Sequence, residues 1–176
     1  MNRKLKLWEL NRVSDEEFKQ QRKFPVIIVL DDIRSLNNIG SFFRTADAFN
    51  VEKIYLCGIT ARPPHREIHK TALGATETIE WEGRASIDEL LTELKAQGIK
   101  VCTVEQAEQT TFLQHIDQLE GEKFALVFGN EVDGVRQSVI DHSDYIIEIP
   151  QFGTKHSLNV SVCAGVVMWE FAKRFM

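Results

Sequence analysis

The sequence lacks the features that mark a membrane or secreted protein. No apolar run approaches the roughly 18 residues that a membrane-spanning helix needs. The N-terminal segment MNRKLKLWELNRVSDEEF has neither an apolar core of signal-peptide length nor a small-residue cleavage site. We therefore expect a cytoplasmic protein with no membrane partner.

Cysteine is also scarce, and signatures of metal and nucleotide binding are absent. The three cysteines lie far apart in apolar runs, which predicts reduced, buried thiols at Cys57, Cys102 and Cys163. The segment HREIH contains His65 and His69 but lacks the order HExxH and follows two prolines. A solvated or RNA-facing loop is therefore favoured over a zinc site, and we expect no metal. Neither GxGxxG nor GxxxxGK[ST] is present, which argues against dinucleotide and P-loop chemistry.

Charges of the two signs are unevenly distributed. The chain has 21 lysines and arginines against 26 acidic residues, a formal net charge of −5, which by itself argues against extensive phosphate binding. Basic residues nevertheless cluster twice, at Arg3, Lys4, Lys6 and Arg12 and again at Arg62, His65, Arg66, His69 and Lys70. Such segregation is expected of a protein that meets RNA with one face, and it is also common in proteins that never bind RNA.

The alternation of apolar runs and amphipathic segments predicts a single α/β domain. Runs that are apolar on both faces, such as VIIVL at 26–30, indicate buried parallel strands. The apolar residues of 86–97 recur at helical spacing, and Gly98 follows as a typical C-terminal cap. On these grounds we predict strands at 26–30, 53–57, 99–104, 124–128 and 145–149, helices at 41–49, 86–97, 135–141 and 158–175, a loop at 62–68, and a polar N-terminal helix with Ser14 as its N-cap. The predicted fold class is α/β, with a mainly parallel sheet flanked by helices.

Three polar segments follow predicted strands. They are DDIRSLNNIGSFFR after 26–30, GNEVDG after 124–128 and QFGTKHSLN after 145–149. In open α/β sheets, ligands bind at the carboxyl ends of the strands. We therefore expect these three segments to converge on one crevice.

The same segments carry a family resemblance. Three segments resemble, in order, the three signature motifs of SpoU (TrmH) RNA 2′-O-ribose methyltransferases of the SPOUT superfamily. They are Asn38 to Ala46, Phe128 to Gly134, and Ile149-Pro150 followed by Ser157 to Ser161. The resemblance runs from about residue 25 to 175. It implies a methyltransferase domain at 25–176 after a helical extension at 1–24, with a C-terminal trefoil knot formed by the GNEVDG and QFGTKHSLN loops. Pattern reasoning alone would not predict a knot, because knots are rare.

The resemblance also implies a cofactor and a partner. The cofactor is S-adenosylmethionine, and the residues that would bind it are Val104, Gly129, Ile149 and Leu158. At 129 a glycine would let the backbone approach the cofactor closely. The family is dimeric, and the C-terminal helix is a candidate contact between subunits. It has more large apolar residues than one buried face needs, namely Val166, Val167, Trp169 and Phe171. The alternative is a helix that is fully buried within one subunit.

The catalytic residues implied by the resemblance are Arg44, Asn38, Glu131, Ser157 and Asn159. Arg44 takes the central role, as the base or as the group that holds an RNA phosphate and polarises the 2′-hydroxyl. We prefer the second role, because a guanidinium gives up its proton only at a large cost in free energy. Asn38 and Glu131 would organise Arg44, while Ser157 and Asn159 would orient the substrate and bind the cofactor end. The structural alternatives are a salt bridge for Arg44, a cap on the following turn for Glu131, and helix capping for Ser157 and Asn159. From Asp31 and Asp32 we expect loop structure only.

RNA is the expected partner, and tRNA is expected over rRNA. The segments VEQAEQTTFL, IPQFG and WEF look like the form of this domain in eukaryotic tRNA guanosine-18 methyltransferases. Several relatives carry a separate RNA-binding domain, whereas about 24 residues precede the first predicted strand here, which favours a compact target. The alternatives are an rRNA 2′-O-methyltransferase, a base methyltransferase on a knotted fold, and a knotted RNA-binding module that has lost catalysis. Base methyltransferases have different motifs, and the intact Arg44, Glu131 and Asn159 argue against an inactive module.

Overall fold

The computed structural model describes residues 2–176, which form a parallel sheet with helices on both faces. The strands are β1 (Phe24–Asp31), β2 (Val51–Cys57), β3 (Glu80–Arg84), β4 (Lys100–Val104), β5 (Thr111–Phe112), β6 (Phe124–Phe128) and β7 (Tyr145–Glu148). The α-helices are α1 (Asp15–Gln20), α2 (Leu36–Ala48), α3 (Arg66–Ala72), α4 (Ala75–Thr78), α5 (Ile87–Ala96), α6 (Gln137–His142) and α7 (Val160–Lys173). Two 3₁₀ helices cover Leu7–Glu9 and Leu113–Gln118.

The sheet has the strand order β3-β2-β1-β6-β4-β7-β5, and every strand pair is parallel. Its centre is the pair β1 and β6, with Ile28 opposite Leu126. Side chains of β1 alternate between two cores, because successive residues of a strand point to opposite faces. Ile28 and Leu30 pack with α2 and α7, whereas Ile27 and Val29 pack with α5. The predicted fold class, α/β with a mainly parallel sheet, is confirmed.

Serine and asparagine caps begin four of the helices. Ser14, Ser35, Ser86 and Asn159 each accept a hydrogen bond from a backbone amide in the first turn of the helix that follows. These caps satisfy amides that have no partner within the helix. The prediction of Ser14 as an N-cap is confirmed. The helix that it starts ends at Gln20, and apart from the 3₁₀ turn at Leu7–Glu9 residues 2–14 are not helical, so the extension is less helical than predicted.

Several element boundaries differ from the sequence prediction. Helix α2 begins at Leu36 rather than at 41, because Ser35 caps it. The segment 62–68, predicted as a loop, ends inside α3, whose N-cap is His65. Strands β3 and β5 were not predicted: β3 contains Gly83 and carries charge on most of its residues, and β5 has only two residues.

Two further expectations concern membrane segments and threading of the chain. No helix among residues 2–176 is both long enough and apolar enough to cross a bilayer. The strand order shows which strands are neighbours but not whether the C-terminal segment passes through a loop of the chain, as a knot requires. The knot therefore stays a prediction.

Candidate active site

A cleft of about 1130 Å³ opens where β4, β6 and β7 end. Its walls are the segments that follow these strands, and they include all four predicted cofactor residues, Val104, Gly129, Ile149 and Leu158. Glu131, Ser157 and Asn159 also line it. The first of the three predicted segments, which follows β1, does not line the cleft but contacts the GNEVDG loop beside it.

The cleft combines an apolar floor with an acidic lining. Val104, Ile147, Ile149, Leu158 and Cys163 supply apolar surface. Five carboxylates line the cleft, Glu105, Glu108, Glu131, Asp133 and Glu148, and no lysine or arginine of residues 2–176 joins them. Such a lining favours a cationic ligand and disfavours one that carries phosphate.

Glu131 connects the GNEVDG loop to the start of α2. Its two carboxylate oxygens accept hydrogen bonds from the backbone amides of Arg34 and Ser35, both at 3.0 Å, and from Asn38 Nδ2 at 3.1 Å. Burial raises the pKa of Glu131, but these hydrogen bonds outweigh it and hold the pKa below its usual value. The carboxylate therefore lies, ionised, at the positive N-terminus of α2. The alternative in which Glu131 caps the following turn is wrong.

Asn130 caps that turn instead. Its Oδ1 accepts the amides of Val132 at 2.8 Å and Asp133 at 3.1 Å, and its Nδ2 donates to the carbonyl of Asp32 at 2.8 Å. Sequence reasoning did not single out Asn130, although an asparagine that opens a tight turn is a recognisable signal.

Asn159 joins the third motif to the first. Its Oδ1 caps α7 by accepting the amides of Ser161 and Val162, so the predicted capping role is real. Its Nδ2 also donates to Asn38 Oδ1 at 3.4 Å. Asn38 thus touches both Glu131 and Asn159, and the three motif segments meet at this asparagine.

Arg44 and Ser157 have free polar atoms. Arg44 lies exposed on α2, and within residues 2–176 its guanidinium makes no hydrogen bond or ion pair. The alternative in which Arg44 serves a structural salt bridge is therefore not observed. Ser157 is exposed on the cleft wall, and its hydroxyl is likewise without a partner in the described residues.

The fold itself gives a reason for glycine at position 129, in addition to the predicted approach of a cofactor. A Cβ there would lie 2.6 Å from Val135 Cγ2 and 2.7 Å from the backbone of Gly134. The GNEVDG loop therefore folds back on its own first residue, and glycine is required by the packing of the loop itself.

Asp31 does more than shape a loop. It ends β1 in a buried position and receives two hydrogen bonds of 3.2 Å from Arg136, which follows the GNEVDG loop. Asp32 accepts the amide of Ile59 at 2.9 Å. Asn130, Glu131 and Arg136 together fasten the GNEVDG loop to the segment after β1. The Arg136 contact was missed because no local pattern marks it.

The middle basic cluster is part loop and part helix. Arg62 packs against Gly83 of β3, where a Cβ would overlap its guanidinium. Lys70 pairs with Glu67, and the exposed Arg66 lines a small pocket together with His65 and His69. No group of three or more histidine, cysteine or acidic side chains suited to a metal occurs within residues 2–176.

The C-terminal helix is partly buried and partly exposed. Of the four apolar residues that drew attention to this helix, Val167 and Phe171 are buried within the subunit and are not available to a partner. The other two, Val166 and Trp169, stay 40% and 45% exposed, and Val162 one turn earlier is 55% exposed. A fully buried helix is not observed either.

Comparisons with known proteins agree with this geometry. A family model described as the SpoU rRNA Methylase family matches residues 25–169. The chain is 34% identical over 146 residues to the 23S rRNA (guanosine-2′-O-)-methyltransferase RlmB of Neisseria meningitidis, an alignment that covers 83% of this chain and 57% of that protein. The chain thus spans little more than half of this relative.

Solved structures share the fold. A TrmH/SpoU tRNA modifying enzyme of A. aeolicus superposes with a TM-score of 0.81 at 24% identity, covering 91% of this chain and 80% of that one. An AdoMet-bound rRNA methyltransferase of Sinorhizobium meliloti gives a TM-score of 0.81 at 24% identity, covering 90% and 60%.

Proposed function

The chain belongs to the SpoU rRNA methylase family, and from this premise we propose that it is an RNA 2′-O-ribose methyltransferase that uses S-adenosylmethionine. The observation that carries the proposal is the hydrogen-bonded contact of Asn38 with Glu131 and Asn159, which brings the three motifs together beside one acidic cleft.

The cleft suits this cofactor in size and charge. Its volume of about 1130 Å³ is sufficient for a nucleoside with an amino-acid arm. S-adenosylmethionine carries its transferable methyl group on a sulfonium and has a net positive charge at neutral pH, and the cleft is lined by five carboxylates and, within residues 2–176, by no lysine or arginine. Val104, Ile149 and Leu158 offer the apolar surface that an adenine ring needs, and Gly129 shapes the loop between them.

The described residues leave Arg44 available for RNA. With no protein partner, its planar guanidinium is free to grip a phosphate with two hydrogen bonds and so to place the ribose at the cleft. Glu131 and Asn38 hold the N-terminus of α2, the helix that carries Arg44, against the GNEVDG loop. Ser157 and Asn159, which line the cleft, are suited to orient the 2′-hydroxyl.

Among RNA classes, we propose rRNA. The relative at 34% identity is named as a 23S rRNA enzyme, and this supports the rRNA alternative more strongly than the expected tRNA. The tRNA name among the structures belongs to a protein of 24% identity, which bears on the fold alone.

We further propose that the protein acts as a homodimer. Val162, Val166 and Trp169 recur on one face of α7 at helical spacing and are all substantially exposed. An apolar stripe of this kind favours burial against a second copy.

Two measurements test the proposed function. S-adenosylhomocysteine should raise the melting temperature, because a ligand that binds the folded state alone stabilises it by mass action. Radiolabelled methyl transfer should then be compared on unmodified 23S rRNA and on unmodified tRNA. Label in rRNA supports the proposal, and label in tRNA alone overturns the choice of rRNA. The absence of both label and thermal shift overturns the whole proposal.

A further inference from the structure

A loop whose two ends line the cleft carries a phenylalanine that the proposed reaction has not used. Phe152 is 97% exposed, the highest value among the exposed large apolar side chains of residues 2–176. It lies in the loop after β7, between Gln151 and His156, which both line the cleft. A carbonyl of the same loop, that of His156, accepts a hydrogen bond from Gln106 Nε2 at 3.1 Å, which fastens the loop to the segment after β4.

Exposed apolar groups recur on the segments that form the cleft. Val132, on the GNEVDG loop, is 77% exposed, and Leu158 is 41% exposed. Single exposed apolar residues are common and need no explanation. Here Val132 and Leu158 line the same cleft, and Phe152 directly follows Gln151, which lines it too, so exposed apolar groups occur on two of the segments that form the cleft.

The charges at this site restrict what can reach the cleft. The interior is acidic, so an RNA phosphate is repelled from it. Three exposed basic side chains do not line the cleft: Arg34 before the first motif, Arg44 within it, and Lys155 three residues after Phe152. None of these three makes an ion pair within residues 2–176. A strand of RNA would therefore keep its phosphates outside and present a neutral ribose and base to the opening.

We propose that Phe152 is a stacking platform for an unpaired base of the RNA substrate, with Lys155 of the same exposed loop for the adjoining phosphate. An aromatic side chain next to a basic one is the combination that proteins use to hold single-stranded nucleic acid. This inference rests on the proposed function, because RNA is its occupant. It adds a residue that selects single-stranded RNA and positions it.

The test is a stacking measurement that does not require catalysis. The probe is a short single-stranded oligoribonucleotide with one 2-aminopurine, whose fluorescence falls when the base stacks. Excess S-adenosylhomocysteine keeps this base out of the cleft interior. Phe152→Tyr should retain the quenching of the wild type, while Phe152→Ala and Phe152→Leu should lose it and weaken binding by about tenfold or more. Ile59→Ala, at another apolar side chain that is 69% exposed, is the matched control and should behave as wild type.

Each outcome separates stacking from its alternatives. The proposal is overturned if Phe152→Ala still quenches the probe, or if Phe152→Leu quenches it as strongly as Phe152→Tyr does. Loss of the dimer in Phe152→Ala, measured by light scattering, shows a subunit contact and also overturns it. If the wild type quenches the probe but methylates no RNA, the proposed function fails while the stacking surface stands.

Discussion

Replacing Glu131 with glutamine is the sharpest test of the contact between the motifs. Glutamine preserves the length of the side chain but removes its charge and replaces one acceptor oxygen with a donor amide. Three donors face the carboxylate, the amides of Arg34 and Ser35 and Asn38 Nδ2. At least one of them therefore loses its acceptor.

The magnitude follows from these contacts. A hydrogen bond to a charged group contributes roughly 1.5–3 kcal/mol, and the lower end applies because Glu131 is solvent-exposed. We expect Glu131→Gln to lower the free energy of unfolding by about 1–2 kcal/mol and the melting temperature by roughly 2–8 °C.

The destabilisation caused by Glu131→Gln should become smaller as the pH falls. The folded-state pKa of Glu131 is lowered, so the stabilisation is fully present above the pKa of an unfolded glutamate, about 4.3, and is lost as the pH falls through the lowered value. The melting temperatures of wild type and variant should converge as the pH is lowered from neutral into this range.

Glu89→Gln is the matched control. Glu89 also lies in the first turn of a helix, α5, but its carboxylate accepts no hydrogen bond within the described residues. Thermal melts of wild type and both variants across pH measure the difference. The reasoning would be refuted if both variants lowered the melting temperature equally, or if the decrease in Glu131→Gln did not become smaller at acidic pH.

Three further predictions concern the RNA and the partner subunit. Arg44→Ala should slow single-turnover methylation by at least about a hundredfold, some 2.7 kcal/mol of transition-state stabilisation, at unchanged cofactor affinity. Arg44→Lys should restore little, because lysine lacks the planar fork, and a near wild-type rate for the alanine variant would remove Arg44 from the mechanism. Replacing Arg62, Arg66 and Lys70 with alanine should weaken RNA binding and flatten its salt dependence; an unchanged slope would exclude this cluster from the RNA surface. Trp169→Lys should give a folded monomer in light scattering, and a retained dimer mass would disprove the proposed interface.

The sequence predicts local elements well where one physical signal dominates. Helix α5 follows from the spacing of Ile87, Leu90, Leu91 and Leu94, all of which are buried. The run at 124–128 is strand β6 without a shift in either boundary. Strand β3 was missed because it reads EWEGR and its pairing with β2, through Ile54 and Trp81 among others, is set by the sheet and not by its own pattern.

Contacts across the fold could not be predicted from spacing. Glu131 reaches the amide of Arg34 across 97 residues, and Arg136 reaches Asp31 across 105. Both contacts exist because β1 and β6 are neighbours in the sheet, and strand order is not encoded in any local run. The resemblance named Glu131 as a site residue, but only the structure shows that its partners are the N-terminus of α2 and Asn38.

The position of the transferred methyl group tests the central claim most directly. Unmodified 23S rRNA would be incubated with the protein and methyl-labelled S-adenosylmethionine, then hydrolysed in alkali and analysed by mass spectrometry. A 2′-O-methyl group blocks alkaline cleavage at its own nucleotide, because the methylated 2′-oxygen can no longer attack the adjacent phosphate as a nucleophile. The account predicts label in alkali-resistant dinucleotides with the added mass on ribose. Label confined to bases, or no label with a folded protein that binds the cofactor, would contradict it.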